Sequence, residues 1–145
     1  GAKLTLPRKA HVYDMRASKY LGHTSEIVLT IQPAKTMAYA LLASRPRYIK
    51  GSAQAVATRQ GWDVDLEVTM GEKGDAGRLH VLRMEVRDPQ GNGKAELARN
   101  LLLEQGALKM RFFLPQSEPS GTWRLEFKDM ASGIKQQVKM TVPAR

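Results

Sequence analysis

Trp62-Asp63-Val64-Asp65-Leu66-Glu67-Val68-Thr69-Met70 decides how the rest of this sequence is read. In an extended chain Trp62, Val64, Leu66, Val68 and Met70 point to one side, and Asp63, Asp65, Glu67 and Thr69 to the other. A period of two held without a break is a strand with one buried face. The same alternation returns downstream. Leu79 to Arg87 sets His80, Leu82, Met84 and Val86 against Val81, Arg83, Glu85 and Arg87. Ala107 to Leu114 carries Leu108, Met110, Phe112 and Leu114, and Thr122 to Phe127 carries Trp123, Leu125 and Phe127. Glu96 to Leu103 and Ile134 to Val142 complete the set, with a weakly alternating, alanine-rich run at Ile49 to Arg59 ahead of it.

The gaps between these runs are turn chemistry. Gly71-Glu72-Lys73-Gly74-Asp75-Ala76-Gly77 is a flexible connection. In Asp88-Pro89-Gln90-Gly91-Asn92-Gly93 the proline sets φ, and Gly and Asn accept left-handed conformations. Glu104-Gln105-Gly106, Pro115 to Gly121 and Asp129-Met130-Ala131-Ser132-Gly133 supply the remaining reversals. No gap holds the dozen residues that a helical crossover between parallel strands needs. The expected fold is all-β: an immunoglobulin-like antiparallel β-sandwich of about seven strands over residues 49–145.

Residues 1–48 are less regular. His11 to Arg16 reads as extended, Ala17-Ser18-Lys19 as a turn and Tyr20 to His23 as a short return, which together make a hairpin. Glu26 to Ile31 is β-branched and apolar, and Gln32-Pro33 ends it. Lys35 to Ser44 reads as a strand or a short helix, the strand being favoured because its neighbours are strands. This N-terminal β segment is expected either to close a preceding β unit or to add strands to the sandwich, with the boundary at residues 45–50.

The chain has 145 residues, enough for one ordinary domain or two very small ones, and its 42% hydrophobic and 26% charged residues are those of a globular chain. There is no cysteine, which excludes disulfides, thiolate catalysis and cysteine-bound zinc. No apolar run approaches the ~18 residues of a transmembrane helix, so no membrane insertion is expected. The chain opens Gly1-Ala2 without methionine or signal peptide; Gly1 reads as a remnant of tag cleavage and the whole as a piece of a longer protein.

The net charge of +9 is lopsided. Residues 1–60 hold ten Lys/Arg against Asp14 and Glu26, whereas residues 61–145 hold thirteen bases and twelve acids. A basic half suits an acidic polymer or an acidic partner surface. The bases form no block, however, and the aromatics near them are few (Tyr13, Tyr20, Tyr39, Tyr48). No helix-turn-helix or RNP motif is present, so the reading is a solvated or interdomain face and not a nucleic-acid surface.

Arg83-Met84-Glu85-Val86-Arg87-Asp88-Pro89-Gln90-Gly91, Arg99-Asn100, Phe113-Leu114-Pro115, Gly121-Thr122-Trp123-Arg124-Leu125 and Asp129-Met130-Ala131-Ser132-Gly133 occur in that order. This series resembles the immunoglobulin-like (macroglobulin-like) C-terminal accessory domains of large bacterial extracellular proteins, such as glycoside hydrolases. Val12-Tyr13-Asp14-Met15-Arg16, Lys19-Tyr20-Leu21-Gly22 and the Leu29-to-Pro33 and Ala38-to-Leu42 runs are similar to the β segment that closes such a catalytic region. The resemblance implies a non-catalytic accessory role in a periplasmic or extracellular bacterial protein; it brings no ligand-binding residues.

A catalytic constellation is not found. His11, His23 and His80 lack metal-ligand spacing, and His80 falls on the apolar face of its strand, where a core histidine is the favoured reading. No nucleophile elbow, P-loop or dinucleotide fingerprint occurs. Asp63, Asp65 and Glu67 share one side of a strand and, with Glu72 or Asp75, have the oxygen ligands of a calcium site; the solvated face of a one-sided strand explains them more simply. No catalytic, cofactor-binding or metal-binding residue is therefore assigned. Trp123 is expected in the core and Asn100 bonding backbone at a bend. The candidate ligand or interface residues are Trp62, Tyr48, Arg45 and Arg47. The expected function is packing against other domains of the same longer chain, with a polysaccharide-binding module of a secreted glycoside hydrolase-like protein as the alternative.

Overall fold

The computed structural model describes residues 1–71 and 79–145. Ten strands make up its regular structure: β1 (Ala2–Asp14), β2 (Lys19–Leu29), β3 (Tyr39–Leu42), β4 (Ile49–Ala57), β5 (Gly61–Met70), β6 (Leu79–Arg87), β7 (Arg99–Glu104), β8 (Ala107–Pro115), β9 (Gly121–Asp129) and β10 (Lys135–Val142). They form two antiparallel sheets, β2-β1-β3 and β10-β9-β6-β7-β8-β5-β4. Among the described residues no helix is long and apolar enough to cross a membrane. The break between the sheets falls between Leu42 and Ile49.

The seven-stranded sheet is a folded-over pair of layers. β7 and β8 share one pair, Glu104 with Ala107, at their hairpin; beyond it β7 runs with β6 and β8 with β5. One layer is therefore β4-β5-β8 and the other β10-β9-β6-β7, with the outer strands β4 and β10 meeting on the far side. Lettered in chain order from β4, the layers are A-B-E and G-F-C-D, the two-layer plan of immunoglobulin-like sandwiches except that the fourth strand lies beside C and not beside E in the A-B-E layer. At the corner Gln105 and Gly106 both take positive φ, 53° and 73°, and a side chain on Gly106 would strike the Met70 carbonyl oxygen at 2.7 Å. The glycine is needed both for its conformation and for its lack of bulk.

The alternating residues fill the space between layers as the pattern requires. Val64, Leu66, Leu82, Met84, Leu103, Leu114, Trp123 and Leu125 are fully buried, and Trp62, Met70, Phe127 and Met140 nearly so. Each such aliphatic side chain contributes roughly 1.5–3 kcal/mol relative to exposure, so the apolar stripes of β5, β6, β8 and β9 are what hold the layers together. The expected antiparallel sandwich with an added N-terminal β segment is the architecture observed.

Details differ where local chemistry competes with alternation. β7 starts at Arg99, not Glu96, because Leu97 and Ala98 donate their N–H groups back to Lys94 and Ala95 in a turn. Asn100 lies within β7, and its Oδ1 accepts from the Arg83 side chain instead of bonding backbone. Tyr20 to His23 and Glu26 to Leu29 are one strand, paired along a β1 that starts far earlier than His11. The pairing is interrupted between Thr5 and Ala10, around Pro7, which has no N–H to offer a ladder. Of Lys35 to Ser44 only Tyr39–Leu42 is strand, added to β1; Lys35 closes a turn onto the Gln32 carbonyl. The glycine-rich connection, with Glu72 and Asp75, falls largely outside the described residues.

Candidate functional site

Most of the residue groups with chemical potential are spent on structure. Trp123 is fully buried and its Nε1–H donates to the Pro119 carbonyl at 2.9 Å. Trp62, named above as a ligand or interface candidate, is only 2% exposed. It heads the inward stripe of β5, and Arg145 lies 5.6 Å from its ring while donating to the carbonyls of Gly61 and Arg59. A ring so enclosed offers no platform for a sugar, which corrects that assignment. His80 is buried on the inner face of β6.

The acidic row of β5 faces a basic row on β8. Arg111 donates to both oxygens of Asp65 at 2.7 and 3.1 Å and stands 3.8 Å from Asp63, while Lys109 lies 3.5 Å from Glu67. The Arg111 hydrogen bonds hold the Asp65 carboxyl below its usual range. Among the described residues no three His, Asp or Glu side chains converge as a metal set. A shallow groove of about 580 Å³ crosses the outer face of β6, β9 and β10. Arg83 pairs with Glu85 within it and Glu126 with Arg87 beside it, Gln137 also donating to Glu126, while Lys128 and Lys135 line the groove as well.

Arg45 and Arg47, by contrast, converge on a cleft of about 570 Å³ between the two sheets. The hairpin of β1 and β2 forms one wall. Asp14 Oδ1 accepts from the N–H groups of Arg16 and Ala17, and Ser18 takes a φ of 50°, which reverses the chain and brings Tyr20 opposite Tyr13. Their rings lie 5.0 Å apart. Tyr20 Oη is 2.8 Å from His11 Nδ1, and His11 stacks on its cross-strand partner His23 at 4.5 Å. Arg45, on the link between sheets, sits 4.1 Å above the Tyr20 ring. A stacked cation of this kind is worth ~0.5–1 kcal/mol when exposed, enough to choose a side-chain position but not to fold a chain.

The other wall is the β9–β10 turn, with Ser132 and Ile134. Buried Asp129 anchors it: Oδ2 accepts from the backbone N–H and the hydroxyl of Ser132. Gly133 takes a φ of 78°, and a Cβ there would lie 2.6 Å from that of Ser18, so hairpin and turn are in close contact. Between them Tyr13 is 3% exposed. Burial pushes its phenol pKa up, Tyr20 and Asp129 push the same way, and Arg45 opposes them. Among the described residues that line the cleft there is no carboxylate.

Tyr48, the fourth candidate, does not join this cleft. It lies 41% exposed at the β4–β10 seam, beside Lys50. Sequence reasoning thus found the two arginines but missed Tyr13, Tyr20, Ser18 and Ser132. The signal for the tyrosines was the hairpin itself, whose register pairs them; nothing local marks Ser132 as a neighbour of Ser18.

A second feature lies on the small sheet. Six exposed large apolar side chains (Leu4, Leu21, Val28, Ile31, Met37 and Leu41) lie within residues 1–42. Leu21, Val28 and Met37 line one groove of about 300 Å³, flanked by Arg16 and Lys35. No protein-family model and no curated protein matches the chain.

Proposed function

We propose that this chain is a non-catalytic, immunoglobulin-like accessory domain that packs against another domain of its own longer protein through the three-stranded sheet. The observation that carries this reading is the Leu21–Val28–Met37 groove, where apolar side chains that a small sheet would ordinarily bury face solvent. Val28 is 73% and Ile31 68% exposed, on and just after the edge strand β2. An edge strand presents unpaired backbone groups as well as side chains, so an apposed surface gains hydrogen bonds and apolar burial together. Arg16 and Lys35 outnumber Asp14 around the groove, and with the surplus of bases in residues 1–60 they favour an acidic face on the other side.

The test is site-specific photocrosslinking in the natural full-length protein, with a photoreactive residue at Val28 and, as control, at Val81 on the sandwich surface. Cross-links from position 28 to one defined segment of the same chain, absent from position 81, support the reading. Cross-links equally scattered from both positions overturn it, as does hydrolysis of glycosides by the 145-residue chain alone.

A further inference from the structure

The packing role makes no use of the connection between β6 and β7, which carries Asn92-Gly93. An asparagine followed by glycine is prone to modify itself. The next residue's backbone nitrogen can attack the side-chain amide, and glycine has no side chain to stand in the way. Here both residues are exposed, and the space where a Gly93 Cβ would stand is open. Asn92 itself is held. Asp88 Oδ1 accepts from its backbone N–H at 2.9 Å, Asp88 Oδ2 accepts from its side-chain amide at 3.2 Å, and the Asp88 N–H donates to its carbonyl at 2.9 Å. On the other side of Gly93, the Lys94 N–H is fixed to the Val86 carbonyl at 2.8 Å. Arg87 and Gly93 form the bridge between these two backbone bonds, so the Gly93 N–H is directed outward and not into the ladder. The nucleophile is therefore available while its target is clamped. To meet Asn92 Cγ, the Gly93 nitrogen must swing about the bond from Asn92 Cα to its carbonyl carbon, which pulls that carbonyl off the Asp88 N–H. The side chain must turn as well, which pulls its amide off Asp88 Oδ2, and bonds to a charged acceptor are the strong ones.

We propose that Asn92–Gly93 is a latent site of covalent self-modification, held closed by Asp88 and opened when the turn at residues 88–94 comes apart. In the reaction the Gly93 nitrogen bonds to Asn92 Cγ and gives up its proton. The bond from Cγ to Nδ2 breaks, and Nδ2 leaves with that proton as ammonia. Water then opens the succinimide ring at either carbonyl and leaves aspartate or isoaspartate; nothing is oxidised or reduced, and water is the one co-reactant. Aspartate sets a carboxylate against Asp88 Oδ2 where an amide donated, and like charges so placed repel. Isoaspartate lengthens the backbone by a methylene just ahead of the Lys94 bond. Each product opposes reclosure of the turn, so a transient opening is recorded permanently.

The experiment follows Asn92 by peptide mass mapping while the 145-residue chain stands in mildly alkaline buffer, with and without denaturing urea. Asn100, the other asparagine of the chain, is followed by Leu101 and serves as the internal control. In urea Asn92 is expected to deamidate well ahead of Asn100, and in the folded chain at least about tenfold more slowly than in urea. Asp88→Asn removes the acceptor of the side-chain amide and is expected to speed the folded chain's reaction about tenfold; Pro89 has no N–H, so the amide introduced at position 88 cannot follow the same route. Asp88→Ser, which keeps an acceptor for the Asn92 N–H alone, is the second variant should the first fail to fold, and a smaller acceleration is expected. Gly93→Ala, at an ordinary φ in open space, should slow the reaction several-fold in urea. Equal Asn92 rates in the folded and unfolded chain, no acceleration in whichever Asp88 variant folds, or Asn100 reacting as fast as Asn92 in urea overturns the proposal.

Discussion

The sandwich and the three-stranded sheet are built from the same alternating chemistry, yet they spend it in opposite directions. β5 turns Trp62, Val64, Leu66, Val68 and Met70 inward and keeps acids outward, where β8 cations neutralise them. β2 buries Ile27 but leaves Val28 almost open and Leu21 exposed. The first arrangement is complete in itself: two layers face each other and every inner stripe has an opposite number. The second is one layer with no sheet opposite it, and a small sheet is stable only when something covers a face. The turn at Ser132–Gly133 covers part of one face. The groove on the other side is what remains, and self-sufficiency is the difference between the two regions.

The harshest test of that difference is Trp123→Ala. Removing a fully buried indole is expected to cost about 3–5 kcal/mol, read as a drop in the urea midpoint. Because the small sheet leans on the sandwich, Tyr13 and Tyr20 fluorescence should report the same single transition; a separate, later transition for the tyrosines would make the small sheet independent and break the comparison. Gly133→Ala comes next. It places a side chain against Ser18 in a left-handed backbone position, and about 1–2 kcal/mol is expected to be lost. Hydrogen exchange should rise first at Tyr13 and Tyr20 while Leu82 and Leu125 stay protected. Uniform acceleration would mean that the junction is no weaker than the core.

A smaller effect concerns the sandwich's own turn at Asp88. Burial favours the protonated carboxyl, but N–H groups of Asn92 and Gln90 and the Asn92 amide outweigh it and hold the pKa below its ordinary value. Folded Asp88 therefore binds its proton less readily than the unfolded residue. Its contribution is whole above the unfolded pKa of about 3.9 and is lost as pH falls through the lower folded value. Asp88→Asn should flatten the acid limb of the urea midpoint below about pH 4; an unaltered limb would assign acid sensitivity elsewhere. The smallest change expected is in Val28→Ser with Ile31→Ser, which should alter stability by no more than about 0.5 kcal/mol yet reduce position-specific cross-linking. A large destabilisation would show those side chains to be core, contrary to their exposure.

The sandwich was legible because alternation survives any register: Trp123 and Leu66 are inward whichever strand lies beside them. The small sheet was only partly legible. Its hairpin at Ala17–Lys19 is local and could be read, but joining Tyr20–His23 to Glu26–Leu29 depended on a partner strand reaching back to Ala2. The cleft was the least legible. Arg45 and Arg47 stand out as a pair around a proline, whereas Ser18 and Ser132 meet only because two turns distant in sequence touch. Trp62 misled for a related reason: a strand's first residue looks exposed until a remote segment, here Arg145, closes over it.

The corner at Gln105–Gly106 has a bearing on inheritance. Because the chain changes layers there, neither layer is a continuous stretch: one takes β4, β5 and β8, the other β6, β7, β9 and β10. Recombination inside residues 49–142 would separate partners on both sides of the crossing point, so the sandwich can be passed on only whole. Residues 2–42 make their sheet from one uninterrupted segment. Exchanging that segment cuts a few junction contacts and no interlayer ones, leaving a permanent core free to acquire new attachments.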